Sequence, residues 1–141
     1  MRRMVWFSCI SAALMMVLAA CGPTGNNVTV TMTDFAFEPS RTDFAAGETY
    51  TFTITNKGAV AHEFVIAEPL DEGEMHGEMH EEGEMEHAGL IVEVEEDELP
   101  PGGKVTIDVT FPSPAPDHAL EFACHIEGHY EAGMHTPITV Q

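Results

Sequence analysis

Cys124, His129 and Met134 stand at five-residue intervals in the stretch FACHIEGHYEAGMHTPITV near the C-terminus. Each offers a different donor. A thiolate is soft and charged, an imidazole is borderline, and a thioether is soft and neutral. Together they look like one ligand set. A fourth donor comes from AVAHEFVI, where His62 follows the turn NKGA at the start of a predicted strand. Two imidazoles, one thiolate and a weak thioether suit copper that cycles between oxidation states: sulfur favours Cu(I), while imidazole accommodates Cu(II). A rigid site between the two preferred geometries needs little rearrangement when an electron moves.

Other donors and other chemistries fit less well. His125 adjoins Cys124, so its side chain is expected to point away from a metal held there. His135, after Met134, reads as a surface or supporting residue, and His118, in the turn after SPAP, as solvated. A binuclear purple copper centre needs two bridging cysteines, and multicopper oxidases need His-x-His pairs; neither is available. Structural zinc prefers more thiolates and has no use for Met134. A cysteine hydrolase could pair Cys124 with His129 as base, but EAGM would then serve no purpose. Four protein donors leave a substrate no open position, so no enzyme is expected.

These donors must be brought together by strands. NVTVTMTDFAF alternates Val28, Val30 and Met32 with polar residues, TYTFTITN alternates Tyr50, Phe52 and Ile54 with threonines, and KVTIDVTF alternates Val105, Ile107, Val109 and Phe111. Period-two alternation predicts half-buried antiparallel strands. HEFVI, GLIVEVEE, HALEFAC and TPITVQ predict shorter ones, and AAGE, NKGA, PPGGK and SPAPD supply turns. About seven short strands in this length predict an all-β, Greek-key β-sandwich.

With that pattern, the chain resembles the cupredoxin family of blue copper proteins, both plastocyanin-like and azurin-like, over residues 27–141. The specific part is C-x4-H-x-x-A-G-M at Cys124–Met134, supported by HEF at His62. The resemblance implies a type 1 copper with His62 and His129 as equatorial nitrogen ligands, Cys124 as thiolate and Met134 as axial ligand. Two departures stand out. Four residues separate Cys124 from His129, as in azurins, where plastocyanins have about two. Glu63 stands where plastocyanins have Asn, so the hydrogen bond that Asn makes between ligand loops does not carry over from the family.

The N-terminus suggests a compartment. MRRM is a basic n-region, and VWFSCISAALMMVL is an apolar run too short for a comfortable membrane span. LAAC, ending at Cys21, resembles a bacterial lipobox. Residues 1–20 are therefore expected to be a lipoprotein signal, residues 21–27 a tether lipidated on Cys21, and residues 28–141 the cupredoxin domain. Cys9 would leave with the signal, making Cys124 the one free thiol of the mature chain, outside the cytoplasm in the cell envelope. The mature chain keeps Arg41, Lys57 and Lys104 against 24 acidic residues, a formal charge of −21. Such a surface excludes nucleic-acid backbones and is repelled by anionic lipid, so the acyl anchor would hold it at the membrane. The expected partner is a redox protein or copper-handling protein with a basic face, and the domain is expected to act as a monomer.

One segment breaks the strand pattern. Residues 68–89, EPLDEGEMHGEMHEEGEMEHAG, contain no Lys, Arg, aromatic or β-branched residue, and residues 68–98 hold 14 of the 24 acids. This reads as a loop inserted between two strands. Its GEMH repeats carry Met75, His76, Met79, His80, Met85 and His87, a soft donor set for additional, weaker copper. Met/His-rich insertions after the first ligand histidine resemble those of cupredoxins associated with copper tolerance. Two functions are therefore expected: one-electron transfer at the main site, or copper sequestration and delivery through the insertion.

Overall fold

The computed structural model describes residues 25–70 and 89–141. These residues form nine strands: β1 (Asn27–Thr33), β2 (Ala36–Pro39), β3 (Asp43–Phe44), β4 (Thr49–Asn56), β5 (Phe64–Ala67), β6 (Val92–Val94), β7 (Lys104–Thr110), β8 (Leu120–Ala123) and β9 (His135–Val140). One sheet has the order β2-β1-β4-β7 and the other β3-β9-β8-β5-β6. No helix occurs among the described residues. The fold is the predicted all-β sandwich.

Alternation sets which side chains face inward. Val28, Val30 and Met32 of β1 are buried, as are Tyr50, Phe52, Ile54 and Asn56 of β4, while the intervening threonines face outward or lie half-buried. The pattern fails in β5 and β8, where all four residues of each strand are buried. Phe64–Ala67 is a continuous apolar run, as expected of a strand covered on both faces, whereas in β8 the buried Glu121 interrupts the run. Phe44, Phe52, Phe64, Phe111 and Phe122 fill the space between the sheets and are each 2% exposed or less.

Two pairings correct the expectation of antiparallel strands. β1 runs parallel to β4, with Val28 opposite Phe52 and Val30 opposite Ile54. β3 runs parallel to β9. Between β1 and β4 the chain turns back as β2 and then crosses to the second sheet as β3. That extra reversal leaves β4 pointing the same way as β1, a consequence of topology that side-chain alternation does not encode.

Candidate metal centre

Three neighbouring strands of the second sheet deliver the donors. β5 pairs with β8, placing Val65 opposite Ala123, and β8 pairs with β9, placing Ala123 opposite His135. His62 and Glu63 precede β5, and Cys124 follows β8, so register alone sets them side by side. His62 thus lies two residues ahead of its strand rather than at its start. Buried Asn56 steadies the segment between β4 and His62. Its Nδ2 donates to Val60 O and Leu99 O at 2.8 Å each, and its Oδ1 accepts the Gly58 N–H at 2.8 Å. The His62 N–H donates to Leu99 O at 3.2 Å.

The loop from Cys124 to Met134 closes on itself. The Cys124 N–H donates to Met134 O at 3.1 Å, the Met134 N–H to His129 O at 3.0 Å, and the His129 N–H to Ile126 O at 2.9 Å. Gly133 adopts φ +98°, a conformation side-chain-bearing residues avoid, and its freedom lets the loop turn back into β9. From below, Glu121 braces the loop. Its carboxylate accepts from Tyr130 Oη and lies 3.0 Å from His135 Nδ1, and the Tyr130 and His135 rings stack at 4.5 Å. Burial, reinforced by Glu121, pushes the Tyr130 hydroxyl up to about 12, so it stays a donor.

His62 Nδ1, Cys124 Sγ and His129 Nδ1 converge within 4.8 Å of one another. His62 Nδ1 is 3.3 Å from His129 Nδ1, and Cys124 Sγ is 3.4 Å from His129 Nδ1. A first-row divalent ion with bonds of about 2.0 Å to nitrogen and 2.3 Å to sulfur separates trigonal donors by roughly 3.5–3.7 Å. The two observed spacings fall just short of that range, so the triangle fits such an ion with slight expansion. Met134 is fully buried in the same loop, its backbone bonded to both Cys124 and His129. Burial pushes the Cys124 thiol up and the His62 imidazolium down. Both shifts disfavour charge on the donors themselves. A bound cation reverses that for the thiol, which it deprotonates, and neutral imidazole is the form that ligates.

The remaining histidines fall elsewhere. His125, His118 and His135 are not among the converging donors. His118 sits 3.3 Å from Glu68, and His135 is held by Glu121. Cys21 and the insertion donors Met75, His76, Met79, His80, Met85 and His87 lie outside the described residues. Sequence reasoning missed three contributors. Glu121 was signalled by a lone acid in the apolar run LEFA. Asp34 and Phe35, in the turn between β1 and β2, carried no signal, because their contacts with His62 and His129 are made across the fold.

A profile described as the cupredoxin-like domain matches residues 4–134. The chain is a member of the cupredoxin family. Copper is therefore its cofactor, in agreement with the donor triangle. This cupredoxin is 28% identical over 152 aligned positions to the copper-resistant cuproprotein CopI of Pseudomonas aeruginosa, covering 87% of this chain and 80% of that one. It is 32% identical over 117 positions to the protein of the same name from Rubrivivax gelatinosus, covering 81% and 66% respectively. Among solved structures, reduced auracyanin of Roseiflexus castenholzii superposes with a TM-score of 0.60 at 23% identity, covering 83% of this chain and 98% of auracyanin. An azurin of Methylomonas sp. strain J gives 0.54 at 18% identity, covering 82% of this chain and 97% of the azurin. These likenesses establish the fold.

Glu63 resolves the departure noted above. Its N–H donates to Cys124 Sγ at 3.4 Å, and its Oε2 accepts the His125 N–H at 3.0 Å. In this cupredoxin a glutamate thus joins the two ligand segments. Burial, aided by a hydrogen bond with Glu93, pushes Glu63 up to about 7 from 4.5. Between these two values the folded chain holds a proton that the unfolded chain releases, so stability falls as pH rises through that window. Thermal unfolding of the metal-free protein should show that decline, and Glu63→Gln, which keeps an acceptor oxygen but cannot ionise, should flatten it. An identical slope in both proteins would refute the assignment.

Proposed function

We propose that this cupredoxin is a type 1 copper electron carrier of the cell envelope, with His62, Cys124 and His129 as equatorial ligands and Met134 as the axial one. The observation that carries the reading is the convergence of two imidazole nitrogens and one thiol sulfur in a buried triangle. Bound copper would supply one-electron chemistry between Cu(I) and Cu(II). The protein's part is to hold the donors still, exclude water and leave one edge reachable. His129 is the partly exposed member of the triangle and sits beside Phe35, a residue 42% exposed. That edge is the natural port for electrons, and the chain's acidity favours a partner with a basic face.

A second reading, copper sequestration or delivery, is favoured by two observations: the GEMH repeats of residues 73–87 and the copper-resistance designation of both relatives. In this reading the insertion captures additional Cu(I) through Met75, Met79 and Met85, since thioethers are soft and neutral. We place the signal at residues 1–20 and the lipidated tether at 21–27, with Cys21 carrying the anchor. The domain then spans 28–141 and holds the insertion 68–89.

One set of preparations tests these readings. Copper titration of the full chain should give one tight equivalent with an intense visible band. Replacing Met75, Met79 and Met85 with leucine should preserve that band while removing extra Cu(I), measured against a competing chelator. Equal Cu(I) stoichiometry in both proteins would reduce the insertion to an acidic linker and leave the electron carrier alone. Mass spectrometry of membrane-extracted protein should find acylated Cys21 at the N-terminus; fully soluble, unacylated protein would remove the tether.

A further inference from the structure

The turn between β1 and β2 touches both imidazoles of the donor triangle. Asp34 Oδ1 lies 3.4 Å from His62 Nε2 and accepts the Ala59 N–H at 2.8 Å. Phe35, next in sequence, holds φ +69° and sets its ring edge-to-face with that of His129, centroids 5.1 Å apart. A bulky residue persists in that left-handed conformation where its surroundings over-determine it, and here the β1–β2 register and the Asp34–Ala59 bond fix both flanks. Gly58 makes the acid–imidazole contact possible. A Cβ at that position would lie 2.3 Å from Asp34 Oδ1 and 2.8 Å from His62 Nε2.

The proton inventory follows from the partners. A neutral imidazole carries one N–H. A carboxylate facing Nε2 can only accept, so the hydrogen sits on Nε2 and Nδ1 is left bare. That bare nitrogen faces His129 Nδ1 at 3.3 Å and the centre of the triangle. It is the form a metal requires. His62 is thus preset for ligation.

We propose that Asp34 is a positioning residue of the metal centre: its carboxylate fixes the Nε2–H form of His62, aims the bare Nδ1 at the metal, and favours the higher oxidation state. The proposal rests on the copper-carrier reading above. A ligand N–H becomes a stronger donor as the metal's charge increases, and the carboxylate's own charge attracts Cu(II) more than Cu(I). Only such a difference between the two states can shift their equilibrium. Carboxylate partners of metal-bound histidines are worth about 10–100-fold in affinity or activity. Asp34 is 41% exposed, so water screens its charge and the low end applies.

The test uses the full chain in two forms. In the copper-loaded form, Asp34→Asn removes the charge and keeps an oxygen acceptor, Asp34→Ala removes both, and Gly58→Ala drives acid and imidazole apart while leaving both in place. Each should raise the midpoint potential, changing the oxidised-to-reduced ratio at fixed poise by about threefold to tenfold, or ~30–60 mV at 59 mV per tenfold. In the metal-free form, nitrogen-15 spectra should show His62 as the Nε2–H tautomer in wild type and as a mixture in Asp34→Ala. Unchanged potentials in both Asp34 variants, with the visible band retained, would overturn the electrostatic role. An unchanged tautomer in Asp34→Ala would overturn the positioning role. Failure of wild type itself to develop the band would overturn the copper-carrier reading instead, and the tautomer measurement would still judge Asp34.

Discussion

Cys124→Ser should give a folded protein with no intense visible band at any copper concentration. The band of a thiolate-bound Cu(II) site arises from charge transfer out of sulfur, and a serine hydroxyl has no filled orbital of comparable energy. Cys124 is the only cysteine among the described residues, so no neighbouring thiol stands ready to replace it. The substitution is also conservative for the fold. It removes no carbon atom, and the hydroxyl can still accept the Glu63 N–H that now reaches Sγ. Copper affinity should fall sharply as well, because a neutral hydroxyl replaces a charged soft donor. Visible spectroscopy during copper titration reads the result directly, with denaturant unfolding as the control for folding. A strong band surviving in the variant would exclude Cys124 as the thiolate ligand.

The largest expected loss of stability is at Phe44. This residue belongs to the two-residue strand β3 at the edge of the second sheet, yet its ring meets aromatic rings from both sheets. Phe111 stacks on it at 4.5 Å, Tyr50 lies edge-on at 5.1 Å, and Phe52 and Phe122 lie at 5.7 and 6.1 Å. Phe44 is 2% exposed. Truncating a buried phenylalanine to alanine costs about 3–5 kcal/mol, a large share of the ~5–15 kcal/mol that holds a domain of this kind together. Phe44→Ala should therefore lower the urea midpoint of the metal-free protein by an amount corresponding to that loss. A change below ~1 kcal/mol would mean that the cavity collapses without penalty, contrary to the close packing seen here.

Much of the molecule was legible because its signals are local. The threonine alternation of β4 and the valine alternation of β1 report burial residue by residue, and both strands lie where the pattern puts them. Cys124, His129 and Met134 share one short loop, so their grouping was visible in the sequence as spacing. The parallel pairing of β1 with β4 was not, since strand direction depends on where the chain crosses between sheets. Nor was the contact of Asp34 with His62, separated by 28 positions and permitted by the missing side chain of Gly58. Glu63 shows the limit of reasoning by resemblance. The family comparison flagged it as a departure, yet its carboxylate makes a hydrogen bond that joins the ligand segments. Residue type alone did not reveal that an acid there could serve as an acceptor.

The placement of the GEMH insertion has a consequence for how such a protein can diverge. β5 and β6 are antiparallel neighbours, with β6 at the sheet edge, and the Ile91 N–H bonds to Ile66 O at 2.8 Å, pinning the two ends of the connection together. Lengthening the connection between two fixed ends costs free energy that grows only with the logarithm of its length, about 0.6 kcal/mol for each doubling. Repeats can therefore be gained or lost between fixed anchor points at little thermodynamic expense, while the register that delivers His62 to Cys124 stays the same. The scaffold thus keeps the register at the metal centre independent of the length of the connection that joins β5 to β6.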